Sequence, residues 1–196
     1  MKKNLIPGLA LALLTGCVAT SVYPYYTAKD VIFDAALLGV WYQADENGKE
    51  GNQWQFAQAG DNAYRFTFKD ANETVECDAR LFRLGGRQYL DFCPVERHGD
   101  FVPPHYLMRV VEVGPKLKLA LLDYAWLGNL VKENPKVIRH IFIEEKPGDA
   151  TKQRLVLTAD TAELRAFILK HADDKDAFGE KPIELMRRRS PSGGQK

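Results

Sequence analysis

The only serines of the chain stand at 21, 190 and 192, in the approach to the first periodic segment and in the C-terminal tail. Neither place lets a folded scaffold aim a hydroxyl at a base, so serine hydrolase chemistry is not expected. Cys77 and Cys93 lie instead within apolar, strand-like runs. As a nucleophile, either would need His98 or His105 beside it. As an exported pair, they would oxidise to a disulfide. The hairpin between them leaves two registers open. A two-residue turn at Gly85-Gly86 sets Leu81 against Leu90 and Arg80 against Asp91, and puts the cysteines on opposite faces. A three-residue loop over 84–86 slips the register by one and brings the cysteines opposite each other.

The histidines, His98, His105, His140 and His171, have no pair at the short spacing of a helical zinc motif, and no Cys-x-x-Cys accompanies them. His140 alternates with Ile138 and Phe142, the pattern of a core or rim residue. Asp91 stands between Leu90 and Phe92. It would act as a general acid only if paired with a second buried carboxylate such as Asp78 or Glu112. A cross-strand ion pair with Arg80 is the simpler expectation. Gly85-Gly86 lies between two strands, without a helix N-terminus to hold a phosphate. These residues predict a protein that is not an enzyme and holds no metal or cofactor.

The elements that carry them are mostly strands. Tyr64, Phe66 and Phe68 alternate with Arg65, Thr67 and Lys69, and Leu117, Leu119 and Leu121 alternate with polar or small neighbours. Similar runs near 38–44, 52–58, 74–83, 87–93, 106–113, 137–144, 152–157 and 182–188 are separated by turn residues such as Asn47-Gly48, Asp70-Ala71-Asn72 and Gly114-Pro115. Two helices interrupt them. Asp123 caps one over about 124–133, ended by Asn134-Pro135. Asp160 and Glu163 form a capping-box start to another, with Leu164, Phe167, Ile168 and Ala172 as its apolar stripe. The fold expected is mainly β, an antiparallel barrel of about eight to ten strands with two helices, since closure removes exposed edges. Trp54, Tyr64, Phe66, Phe68 and Leu119 would line a ligand cavity in such a barrel, or fill its core.

The chain opens with Lys2 and Lys3, an apolar run from Leu5 to Leu14, and then Thr15-Gly16-Cys17. The run is too short to span a bilayer as a helix and matches a secretory leader. Leu14-Thr15-Gly16-Cys17 resembles the lipobox of bacterial lipoproteins. The resemblance implies a signal peptide over 1–16 and Cys17 as the acylated first residue of the mature chain. It further implies a lipid anchor on the periplasmic face of a membrane, and Val18 in place of an aspartate implies the outer membrane. Residues 17–32 then read as a lipidated tether, 33–189 as one domain, and 190–196 as a flexible tail. With 27 basic and 26 acidic side chains, the chain has no electrostatic footprint for nucleic acid. Attachment to the membrane would rest on the acyl chains.

The passage Phe33-Asp34-Ala35-Ala36-Leu37-Leu38-Gly39-Val40-Trp41-Tyr42 resembles the start of the lipocalin fold, in which a short turn leads into a Gly-x-Trp strand. The resemblance implies that Trp41 plugs one end of the barrel, with Arg187 against it by cation–π contact. Asp123-Tyr124 is similar to a further lipocalin motif, although a helix follows where that family continues as sheet. Leu81–Phe92 and Leu157–Leu164 are similar to passages of small uncharacterised bacterial proteins and bring no activity with them. Two functions follow. One is a non-catalytic, membrane-anchored module that binds a small apolar ligand in its barrel. The other is an envelope protein with a filled core, which meets a protein partner through its outer face or the 94–105 loop with Pro94, Pro103 and Pro104.

Overall fold

Residues 18–44, 49–95, 102–144, 153–179 and 181–188 are described by a computed structural model, in which the strand rhythm becomes a closed antiparallel barrel. The strands are β1 (Thr20–Ser21), β2 (Val31–Ile32), β3 (Gly39–Ala44), β4 (Glu50–Gln58), β5 (Tyr64–Lys69), β6 (Thr74–Leu84), β7 (Arg87–Pro94), β8 (His105–Val113), β9 (Lys116–Leu121), β10 (His140–Glu144), β11 (Gln153–Leu157) and β12 (Ile183–Arg187). Helices α1 (Tyr124–Glu133) and α2 (Thr161–Lys170) follow β9 and β11. β3 to β9 pair in chain order as a meander, and β12 closes the ring by pairing with both β9 and β3. β8 divides its edge: Met108–Val113 pair with β9, while His105 and Tyr106 pair with β1. From β1 a side ribbon continues through β11 to β10.

Alternation decides which side chains face inward. Trp41, Trp54, Phe56, Tyr64, Phe66, Phe68, Leu81, Leu90, Leu117, Leu119 and Leu185 are buried in one interior cluster. The outer face carries ion pairs, Arg65 with Asp78 at 3.4 Å and Lys118 with Glu112 at 2.7 Å. This polarity is the reverse of a membrane-spanning barrel, whose lipid-facing side must be apolar. Among the described residues no helix is long and apolar enough to cross a membrane.

A second core lies on the outside of the barrel. Phe82, Leu84, Tyr89 and Leu107 point outward from β6, β7 and β8, and are covered by Leu127 and Val131 of α1, Leu164, Phe167 and Ile168 of α2, and Phe178. Both helices start where the sequence places them. Asp123 accepts from the Trp126 N–H at 2.7 Å, and Asp160 from that of Glu163 at 3.0 Å. The Glu163 carboxylate does not reach back to complete a capping box. It takes the Arg139 guanidinium at 2.7 Å instead.

The stretch expected to be a tether is built into the fold. From Val18 to Ser21 every residue is buried, and Tyr25 is sealed in the outer core. β1 is the strand that joins the barrel to the side ribbon, and β2 pairs with β6. Thr27 and Asp30 close a capping box on the short turn between them. Residues 1–17, the Asn47-Gly48 turn, His98, Ser190, Ser192 and the 190–196 tail lie outside the described residues.

Candidate functional site

The barrel interior is the first place to look. Trp54, Tyr64, Phe66, Phe68 and Leu119 all point into it, as the alternation requires, and all are buried. Rings from three strands meet there. Phe66 of β5 lies 4.8 Å from Phe92 of β7 and 5.0 Å from Phe56 of β4, centroid to centroid. Trp54 sets its edge against Phe66 at 5.5 Å and Phe68 at 5.8 Å. These are the offset and edge-on arrangements that aromatic quadrupoles favour. The side chains expected as walls of a cavity are packed against one another as the filling of the barrel.

The Gly-x-Trp segment is held by Trp41 and Arg187. The Trp41 indole is buried, and its Nε1–H donates to the Leu37 carbonyl at 2.9 Å. Arg187 is its register partner on β12, with the guanidinium carbon 4.1 Å from the ring centre. The same guanidinium donates to the Leu38 and Ala36 carbonyls at 2.7 and 2.5 Å, pinning the turn that precedes β3. The glycine has two physical reasons. Gly39 sits at φ +120, and a Cβ there would stand 3.0 Å from Arg187 Nη1.

The most unusual polar group is Asp91, 2% exposed and pointing outward from β7 beneath residues 18–32, the N-terminal strap. Its Oδ2 accepts from the Tyr25 N–H at 3.0 Å, and its Oδ1 lies 2.7 Å from His105 Nδ1. The expected ion pair with Arg80 does not form, although the two are register partners. The strap's amide and His105 take the carboxylate, and Arg80 turns its Nη1 to the Ala79 carbonyl at 3.3 Å. Neither carboxylate expected as its partner joins Asp91, since Asp78 pairs with Arg65 and Glu112 with Lys118 on the surface.

Ser21, dismissed in the sequence as part of a tether, stands opposite His105 in the β1–β8 register. Ser21, His105 and Asp91 thus gather in the order of a nucleophile, base and orienting acid. The chemistry does not follow. Ser21 is buried, and its Oγ donates to the Tyr23 carbonyl at 2.5 Å, so it is sealed from any substrate. Burial, foremost, also holds the Tyr25 phenol far above its ordinary pKa. The group is a buried polar clasp that fixes the strap.

Cys77 and Cys93 form no disulfide with each other. The chain adopts the Gly85-Gly86 two-residue turn, with both glycines at positive φ (59 and 77). Leu81 therefore faces Leu90, and Cys93 faces Asp78 instead of Cys77. His140 rests its Nδ1 on the Ile138 carbonyl at 2.8 Å, and His171 packs between Trp126 and Phe167. Among the described residues no three histidine, cysteine or carboxylate side chains gather as metal ligands. An open cleft of about 440 Å³ beside α1 is lined by Asp123, Trp126, Asn129, Glu133 and Asp176, with one carboxylate already spent as the helix cap.

The surface holds the feature that the sequence did not single out. Ile141, Phe142 and Ile143 of β10 are consecutive and 47, 36 and 38% exposed. β10 pairs with β11 on one side and, among the described residues, has no strand on the other. Compared with protein-family models, with curated proteins and with solved structures, the chain finds no match.

Proposed function

We propose that this chain is a lipid-anchored cell-envelope protein that works through its outer surface, without catalysis and without a ligand inside the barrel. The observation that carries the reading is the pairing of a barrel filled by Trp54, Phe56, Phe66 and Phe92 with an apolar strand, β10, that among the described residues has no neighbour on one side. A molecule entering the interior would have to displace packed rings. A run of three apolar residues along an open strand edge is, by contrast, what a binding strand needs. This favours the envelope interaction protein over the ligand-binding module.

The anchor rests on the lipobox resemblance of Leu14-Thr15-Gly16-Cys17, with two or three acyl chains holding the mature chain to the membrane. The fold adds a constraint to it. Val18 is buried next to the acylated position, so the lipid would leave directly from the barrel rather than from a long leash. Val18 in place of aspartate supports the outer membrane, with the barrel on its periplasmic face.

Radiolabelled palmitate in a bacterial host tests the anchor. The full chain should take up label, and Cys17→Ser should lose it and persist as precursor. Normal labelling of Cys17→Ser overturns the anchor. A fluorescent fatty acid titrated into the lipidated protein in detergent tests the filled interior. Saturable binding that quenches Trp54 overturns that part of the reading and restores the ligand-binding module.

A further inference from the structure

We propose that the β10–β11 ribbon rests on the bilayer that holds the chain, with Ile141, Phe142 and Ile143 at the acyl boundary and Arg154 on a lipid phosphate. The inference rests on the lipid anchor proposed above and names what the apolar surface strand meets.

The chain itself brings the bilayer to this strand. Thr20 of β1 is paired with Val156 of β11, and Val156 with Ile141 of β10. Two strand spacings therefore separate Thr20 from Ile141, about 10 Å. Cys17 precedes Thr20 by three residues, at most about 11 Å of extended chain. An acylated Cys17 thus holds Ile141 within about 20 Å of the point where its lipid enters the membrane. A protein partner would have no such tether.

The chemistry of the ribbon fits that neighbour. Side chains directly opposite on paired strands share a face. Ile141 and Ile143 stand on the face of Val156 and Arg154, while Phe142 stands on the face of Leu155. All three apolar side chains of β10 are exposed, so both faces offer apolar surface. A bilayer met edge-on takes up both faces at once.

Arg154 supplies the charge complement. It is half-buried on β11 opposite Ile143, and its Nε is buried without a hydrogen-bond partner. Among the described residues no carboxylate pairs with it. A guanidinium fork matches a phosphate through parallel hydrogen bonds. β11 lies one strand spacing, about 5 Å, behind β10, which sets Arg154 at the phosphates when the isoleucines reach the acyl boundary. The depth is limited by the backbone. The edge N–H and C=O groups of β10 find no partners in hydrocarbon, so the strand stays in the hydrated headgroup layer and only its side chains go deeper.

The test uses the full chain, expressed in a bacterial host, extracted in mild detergent and reconstituted into phosphatidylethanolamine–phosphatidylglycerol vesicles. A polarity-sensitive fluorophore on Ile143→Cys should shift to the blue. Phospholipids carrying a nitroxide high on the acyl chain should quench it about threefold more than the labelled parent chain. Val111→Cys, 49% exposed on β8, should be quenched no more than the parent. Arg154→Glu should lower the quenching at Ile143→Cys about threefold, and Arg154→Lys should keep it, since either cation meets a phosphate. Vesicles of phosphate-free galactolipid should reproduce the Arg154→Glu result with the arginine in place, which a folding defect would not do. Quenching at Ile143→Cys no greater than at Val111→Cys, or unchanged by both Arg154→Glu and the phosphate-free vesicles, overturns the proposal. So does a bismaleimide-linked dimer of Ile143→Cys without quenching, which would give the strand to a second copy. Palmitate label is read in the same cells. Label without quenching overturns the bilayer contact alone, and quenching without label overturns the anchor alone.

Discussion

Arg187 and Trp41 face each other across β12 and β3, the guanidinium carbon 4.1 Å from the indole centre. The contact is more than a cation–π pair. Arg187 also holds the Ala36 and Leu38 carbonyls, while Trp41 Nε1 holds that of Leu37. Two side chains from strands distant in sequence thereby satisfy three successive carbonyls of one turn.

Trp41→Ala should therefore cost about 3–5 kcal/mol of stability, the range for truncating a large buried aromatic. Arg187→Ala should cost less, about 1–3 kcal/mol, since it removes two hydrogen bonds from a charged donor and the contact with the indole. The double variant should lose less than the sum of the two, with a coupling of about 0.5–3 kcal/mol in urea unfolding. Additive losses would mean that the two side chains stabilise the fold independently.

The Asp91 clasp should control the N-terminal strap. Asp91→Ala leaves the Tyr25 N–H without its acceptor and His105 without its carboxylate, a loss of about 1–3 kcal/mol for a buried donor left unsatisfied. Hydrogen exchange at the Tyr25 amide should speed up well before global unfolding. Unchanged protection of that amide in Asp91→Ala would remove Asp91 from the role.

The barrel was legible in the sequence wherever a strand has one wet face. Tyr64, Phe66 and Phe68 face inward and Arg65, Thr67 and Lys69 outward, so the period-two pattern is clean there. It fails where both faces are covered. Tyr89, Leu90, Asp91 and Phe92 are all buried, because the outer core takes Tyr89 while the inner core takes Leu90 and Phe92. Such a continuous run marks a strand covered on both faces. The same covering hid the site. Asp91 was read against its register neighbour Arg80, and its actual partner is an amide 66 residues earlier. Tyr23-Pro24-Tyr25-Tyr26 has tether-like composition, and only the tertiary fold seals Tyr25 against the barrel. The turn at Gly85-Gly86 left two registers, and leucine burial decided between them against the disulfide.

Cys77 should behave as an inert thiol. Burial, with a smaller contribution from nearby Cys93, pushes it up to about 12, and only the thiolate reacts. Iodoacetamide at pH 8 should leave Cys77 unmodified in the folded protein and alkylate it fully in urea, as read by peptide mass. The purified chain should also give the same Cys77 and Cys93 peptides with and without reductant. A linked peptide seen only without reductant would show that the two cysteines can bridge after all.

Asp30 should make the attachment of the strap pH-dependent in acid. Its partial burial favours the neutral acid, but hydrogen bonds from Thr27 and the Arg165 guanidinium outweigh that and hold the carboxyl below its ordinary value. A depressed carboxyl contributes its full stability above the unfolded-state value of about 3.9. As pH falls below that, the unfolded chain takes up the proton first, and the contribution is lost as pH passes through the folded value. Wild type should thus exceed Asp30→Asn in urea stability at pH 7 and pH 5, and the gap should close toward pH 3. Arg165→Ala should behave in the same way, because it removes the same charged partner of Asp30. A gap that stays constant from pH 7 to pH 3 would show that Asp30 contributes nothing through its charge.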